Sequence, residues 1–197
     1  MSTMFSWTSF LTYAVVTAVT PGPNNIMSMS NGNRNGFKGA LPFNLGILVG
    51  FSAVMVLCTA FCSLLSTWIP KIKMPMLIAG ACYMLYLAWE TFCSSDTIEE
   101  NHSRDGFVSG LFLQFINPKI YIYCIMSMEA YILPFYNGQI LPLLAFALLL
   151  AFIGFVFTLL WSAFGSIFKW LFSKHAKLVN AAMAALLVYC AISLFLA

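Results

Sequence analysis

The sequence predicts an all-α membrane protein of six transmembrane helices, arranged as a 3+3 inverted repeat in which helices one and four are broken. Three observations predict it. Hydrophobic residues make up 61% of the chain and charged residues only 8%, where a soluble domain carries roughly 25% charged residues. Six apolar runs each reach the length of about 20 residues that a bilayer-crossing helix needs. Two of these runs carry proline interruptions at matching positions, Pro21 and Pro118.

The first run, 5–30, contains Thr20-Pro21-Gly22-Pro23-Asn24-Asn25. Proline lacks a backbone donor and collides with the preceding turn, and glycine adds backbone freedom. The helix is therefore expected to break at membrane depth. Freed carbonyls and amides there must be satisfied by neighbouring helices or must line a polar cavity, and discontinuous helices of this kind form substrate sites in transporters. A plain structural kink is the alternative reading of the same residues.

The remaining runs are 40–66, 74–93, 106–133, 141–168 and 178–196. Asn31-Gly32-Asn33-Arg34-Asn35-Gly36 reads as a short turn, Pro70-Lys71-Ile72-Lys73 as another, and Ser94 to Asp105 as a long polar loop. One membrane domain over 1–197 is expected, its halves 1–93 and 106–197 joined by loop 94–105. Arg34, Lys38, Arg104, Lys169, Lys174 and Lys177 fall in the odd loops, against Lys71 and Lys73 opposite. By the positive-inside rule the odd loops, 94–105 included, are cytoplasmic and both termini periplasmic. Trp7, Trp68, Trp89 and Trp170 near helix ends agree with an aromatic belt. The opening residues lack the basic region of a signal peptide, so the first run reads as a retained helix.

The second break reads Gln114-Phe115-Ile116-Asn117-Pro118-Lys119, and the intervals Phe10 to Pro21 and Phe107 to Pro118 are equal. Helices two and five each open on a Leu-Pro pair, Leu41-Pro42 and Leu141-Pro142. With three helices per half, the halves enter the membrane from opposite sides, and paired interruptions point to the binding site.

Helical spacing places Tyr13, Thr17, Thr20 and Asn24 on one face, and Gln114, Asn117, Tyr121 and Cys124 on another. Tyr83, Tyr86 and Glu90 recur on helix three, and Thr158, Ser162 and Ser166 on helix five. The stripes of helices one and four, which run into the breaks, read as a path. The helix-five stripe reads as interhelical hydrogen bonding. Lys119 lies mid-helix beside a broken backbone, where an ammonium is costly unless paired or hydrated, and so reads as functional. Glu90 and Glu129 are further candidates for proton coupling, although both also suit interfacial water. Gly46 and Gly50 form a GxxxG pair that suggests close helix packing.

Six cysteines, Cys58, Cys62, Cys82, Cys93, Cys124 and Cys190, lie in or beside apolar segments and are expected to be free thiols acting as small hydrophobes. No phosphate-binding Gly-x-x-x-x-Gly-Lys loop occurs, and no cofactor, metal or nucleic-acid partner is expected. A membrane enzyme of thiol or lipid chemistry would need a nucleophile–base pair or a loop cysteine pair, and the sequence offers neither. A channel or an accessory subunit stays open as a class, and so does a homo-oligomer.

Pro21-Gly22-Pro23, Asn117-Pro118-Lys119 and six helices in about two hundred residues resemble the LysE/RhtB family of amino-acid exporters. The fuller stretches Thr20 to Asn25, Leu113 to Asn117 and Leu187-Val188-Tyr189-Cys190-Ala191 look like its cysteine and O-acetylserine exporter branch. The resemblance implies export of a small amino acid across the bacterial inner membrane by proton antiport. Exporters of the homoserine/threonine, leucine or lysine type are the alternative within the family. Here 41–44 reads Leu-Pro-Phe-Asn and lacks an acidic residue, so a mechanism needing a carboxylate on helix two is not supported. The translocation site implied by the breaks and the resemblance is Pro21, Gly22, Pro23, Asn24, Asn25, Gln114, Asn117, Pro118 and Lys119. Tyr13, Thr17, Thr20, Tyr83, Tyr86 and Tyr121 are candidates to line the path.

Overall fold

A computed structural model describes residues 5–61, 74, 75, 78, 81–86, 88, 89, 91–93, 106–168 and 176–193. Those residues are helical apart from short breaks and turns, and no strand occurs among them. The order is α1 (Trp7–Val19), α2 (Pro23–Ala60), a helical stretch within 74–93, α3 (Phe107–Ile116), α4 (Pro118–Ser127), a widened turn (Met128–Ile132), α5 (Leu133–Tyr136), α6 (Ile140–Ile167) and α7 (Ala176–Ser193).

α1 starts where the Ser6 hydroxyl caps the Ser9 amide, leaving one fewer unpaired donor in the first turn. It stops at Thr20, which is extended at φ −60°, ψ 143°, because the residue before a proline is pushed out of the helical region. Helix resumes at Pro23, whose missing N–H costs nothing in a first turn. The second break repeats this logic. Asn117 is extended at φ −79°, ψ 103°, and α4 opens on Pro118. The run before Asn117 and the run from Pro118 to Tyr136 meet at 64°.

α2 is a hairpin of two helical limbs, 23–35 and 37–60, hinged at Gly36. That residue has φ 72°, ψ 170°, a region that favours glycine. The Ser28 hydroxyl donates to Asn44 Oδ1 at 2.8 Å, whereas residues 16 apart in a straight helix lie about 24 Å apart. The expected turn over Asn31–Gly36 is thus narrowed to its last residue, Gly36. Helix persists through Asn35, because Asn31 and Gly32 are buried and a side chain on Gly32 would overlap the Ser162 backbone of α6.

Small residues bring the helices into backbone contact. A Cβ on Gly46 would overlap the Phe107 carbonyl, and one on Gly110 the Phe43 carbonyl, so limb 37–60 crosses α3 at contact distance. A Cβ on Gly165 would overlap the Met29 carbonyl, which ties limb 23–35 to α6. A polar knot accompanies the second crossing: Asn44 donates to Ser162 Oγ at 2.8 Å, and Ser162 to the Ser28 carbonyl at 2.9 Å. Ser28, Asn44 and Ser162 are all fully buried, and each has a partner, as burial demands. For Ser162, and for Ser166, which accepts from the Phe37 amide at 3.0 Å, the expected interhelical bonding holds.

By length and composition, Pro23–Ala60 and Ile140–Ile167 are apolar enough to cross a membrane, and the bent pair Phe107–Ile116 with Pro118–Tyr136 adds a third span when counted as one. α1 and α7 are shorter apolar helices. Two large apolar cores result among the described residues, beside a small cluster of Phe43, Ile47 and Leu113 where limb 37–60 meets α3. One joins α1, limb 37–60, α4 and α6 through Phe10, Phe51, Met55, Tyr123, Cys124 and Leu150. The other joins limb 23–35, the 81–88 stretch and α7 through Ile26, Met29, Met84, Met183 and Leu187.

Candidate functional site

Both breaks open onto one cleft. It is lined by Thr17, Ala18, Gly22, Pro23, Asn24, Asn25, Phe51, Asn117, Lys119, Ile120, Tyr123, Gly154 and Thr158. A uniform α-helix would turn Asn117 and Lys119 to nearly opposite sides, at about 100° per residue. The extended Asn117 and the restart at Pro118 place both on the cleft wall.

Three amides bridge the breaks. Asn24 Nδ2 donates to Gln114 Oε1 at 2.8 Å, and Gln114 Nε2 returns a bond to Asn24 Oδ1 at 3.2 Å. Asn117 Nδ2 donates to the same Asn24 oxygen at 3.1 Å. Asn117 also caps α4, its Oδ1 accepting from the Lys119 amide at 3.1 Å. The start of α4 is thereby capped. The start of α2 differs, because its Gly22 cap has no side chain to offer, and the leading N–H groups of a helix have no acceptor within it.

The end of α1 is covered by donors. Asn25 Nδ2 reaches the carbonyls of Ala18 at 2.8 Å and Thr20 at 2.9 Å. Lys119 Nζ donates to the Thr20 carbonyl at 3.0 Å and to Thr20 Oγ1 at 2.9 Å, a cation at the negative end of a helix. The Cys190 thiol meets the Pro21 carbonyl at 3.5 Å. Lysine, asparagine and cysteine side chains thus already occupy the carbonyls around Pro21. Gly22 leaves room for this, since a Cβ there would sit 3.1 Å from Lys119 Cδ and Nζ. An ammonium has three protons to donate, and two are used, so Lys119 keeps one for a ligand.

The other candidates are placed as follows. Thr17 lines the cleft. Tyr13 stacks between Tyr123 and Tyr131, with ring centroids 6.1 and 5.4 Å away. Tyr121 donates to the Phe115 carbonyl at 3.1 Å, away from the lining residues. Tyr83 packs beside the second core and stacks on exposed Tyr86. Glu129 sits exposed on the widened turn, off the cleft wall. Glu90 lies outside the described residues, as do loop 94–105, Pro70 to Lys73, Trp68, Trp170, Lys169, Lys174, Cys62 and the final residues. Cys58, Cys82, Cys93, Cys124 and Cys190 are free thiols.

Sequence reasoning missed six wall residues: Ala18, Phe51, Ile120, Tyr123, Gly154 and Thr158. Phe51, Ile120 and Tyr123 read as core because apolar residues at helical spacing usually are core, and they do belong to it. Gly154 had no signal. Thr158 is expected to bond between helices, but its hydroxyl donates within α6, to the Phe155 carbonyl at 2.8 Å. Thr158 nonetheless borders the cleft.

Comparison with known proteins follows the same line. The family described as LysE type translocator matches residues 15–197. The chain is 37% identical over 185 residues to a cysteine/O-acetylserine efflux protein of Klebsiella pneumoniae, covering 93% of this chain and 94% of that one. It is 35% identical over 189 residues to the protein of the same name in Salmonella choleraesuis, covering 95% and 96%. The corresponding protein of Escherichia coli K12 is 34% identical over 190 residues, again with 95% and 96% covered. No solved structure matches.

Proposed function

The chain belongs to the LysE family of translocators, and from that membership we propose that it exports small amino acids, cysteine and O-acetylserine foremost, by proton antiport. The relatives' names support the substrate class. The observation that carries the reading is Lys119, the one charged side chain among the cleft-lining residues, held by Thr20 at the end of α1 with a proton to spare.

A zwitterion needs a donor pole and an acceptor pole. The donor pole is Lys119 Nζ with the uncapped first turn of α2, where a carboxylate gains from the helix dipole and the leading amides. The acceptor pole is the Thr20 carbonyl together with the Thr17 and Thr158 oxygens. Binding is an exchange: the incoming carboxylate draws Lys119 off Thr20, and the substrate ammonium takes the vacated carbonyl. Asn24, Gln114 and Asn117 hold the two breaks in register throughout. Lys119 thus alternates between a backbone carbonyl and a carboxylate, and that alternation loads and releases the coupled proton.

Six spans in two inverted halves, 1–93 and 106–197 with a cytoplasmic loop 94–105, complete the proposal. Two features support it: each break restarts a helix on a proline, and α2 supplies two helical limbs. The halves rock about the cleft to expose it alternately, in the bacterial inner membrane with both termini periplasmic. Exchange of labelled cysteine by purified protein in proteoliposomes tests the reading. Counterflow marks a carrier. Ion current without counterflow would make the protein a channel, and neither signal would leave it an enzyme or an accessory subunit.

A further inference from the structure

The polar atoms of the cleft come from its two helix breaks, and a different set of residues closes the rest of the wall. Phe51 from limb 37–60, Gly154 from α6, and Ile120 and Tyr123 from α4 carry it, with Thr158 as a polar exception. If carboxylate and ammonium are held at the breaks, the substrate side chain projects against this second group.

Phe51 is fixed there on two sides. A Cβ on Gly154 would overlap Phe51 Cε1, so the ring occupies the space where residue 154 has no side chain. Towards α4, the Tyr123 ring lies 6.0 Å away, tilted by 55°. Tyr123 is itself braced by Tyr13 and by its hydroxyl, which reaches the Ala14 carbonyl at 3.5 Å. Phe51 is only 5% exposed. A ring confined between a backbone and a braced aromatic cannot swing aside for a longer ligand. A rigid apolar wall of this kind discriminates about 10- to 200-fold per methylene.

We propose that Phe51, seated on Gly154, is the side-chain selector of the cleft and sets the depth open to the substrate side chain, favouring cysteine over the longer side chains of O-acetylserine, methionine and leucine, with Thr158 accepting a thiol proton. This rests on the export reading above and adds to it the residues that set substrate size. Thr158 suits the second role because its own proton is spent on Phe155, which leaves the oxygen as an acceptor.

The test is competition counterflow in proteoliposomes, with cysteine, O-acetylserine, methionine and leucine at matched protein abundance. Phe51→Ala should raise the leucine-to-cysteine and methionine-to-cysteine ratios about tenfold or more, and Phe51→Leu should do so more weakly. Gly154→Ala pushes the ring into the cleft and should shift preference the other way, against O-acetylserine. Adding Gly154→Ala to Phe51→Ala should change nothing further, since the overlap is gone. Unchanged ratios in both Phe51 variants that still carry cysteine would overturn the selector and leave the export reading standing. Wild-type vesicles that exchange no amino acid would refute the export reading and the selector with it. Should Gly154→Ala fail to insert, the double variant settles the matter: recovered insertion with the ratios of Phe51→Ala supports the contact, and altered ratios refute it.

Discussion

Lys119→Met keeps the length of the side chain and removes its charge. Two contacts are lost, at 3.0 and 2.9 Å to Thr20. Thr20 is exposed, and its carbonyl retains the Asn25 amide at 2.9 Å, so no buried acceptor is orphaned and the folding cost stays near about 1 kcal/mol. Substrate binding should suffer more. A hydrogen bond to a charged partner contributes about 1.5–3 kcal/mol, which corresponds to roughly 10- to 150-fold weaker capture of the carboxylate. Counterflow of cysteine at matched abundance should therefore show a KM raised by about that factor, and an imposed pH gradient should no longer drive accumulation. Lys119→Arg retains the charge and cannot release a proton in a protein. It should keep part of the exchange activity and lose the response to the gradient. A Met variant with wild-type KM and wild-type gradient response would remove Lys119 from the mechanism. An Arg variant driven normally by the gradient would rule out proton carriage by this residue.

Other expectations follow from the same geometry. Pro21→Ala with Pro23→Ala allows α1 and α2 to run together, which takes Thr20 from its extended conformation and withdraws its carbonyl from Lys119; transport should fall at near-normal membrane abundance, and unchanged transport would reduce the motif to a dispensable kink. Gly46→Leu drives a side chain into the Phe107 backbone and should cost about 1–3 kcal/mol or more by overpacking, read as loss of monodisperse protein after detergent extraction; an unaffected elution profile would contradict the crossing. Cysteine labelling near Ala197 in intact cells should succeed from the periplasmic side, and labelling within Ser94–Asp105 from outside would reverse the proposed orientation and undo the inverted repeat.

The breaks were legible because proline acts on its nearest neighbours: Thr20 and Asn117 are extended for a reason contained in the next residue. Lys119 was legible because a lone cation in an apolar run has few roles. The partners of the freed carbonyls were not legible. Asn25 folds back on α1 within its own turn, whereas Lys119 arrives from a residue 99 positions away, and spacing carries no information about the second kind of contact. The polarity of 31–36 marked the turn but not its place: helix runs on through Asn35, where α6 covers the stretch, and the chain reverses only at Gly36. Phe51 and Tyr123 illustrate the opposite failure. They are as buried as any core residue, and only the chain reversal at Gly36 and the bend at Asn117 bring their edges to a cleft.

The reversal at Gly36 also bears on how the chain enters a bilayer. Limb 23–35 carries Asn24, Asn25, Ser28, Ser30, Asn31, Asn33, Arg34 and Asn35, too polar a segment to partition into lipid alone. Limb 37–60 is strongly apolar, yet it brings in Asn44, whose side chain finds partners on Ser28 and on Ser162. The two limbs must therefore leave the insertion machinery as a pair, the second drawing the first in while Ser28 and Asn44 satisfy one another. The third member of that knot is synthesised more than a hundred residues later. Until α6 emerges, one amide proton of Asn44 lacks its partner while the other is held by the Ala40 carbonyl, so release of the hairpin from the insertion site is expected to wait for the second half of the chain.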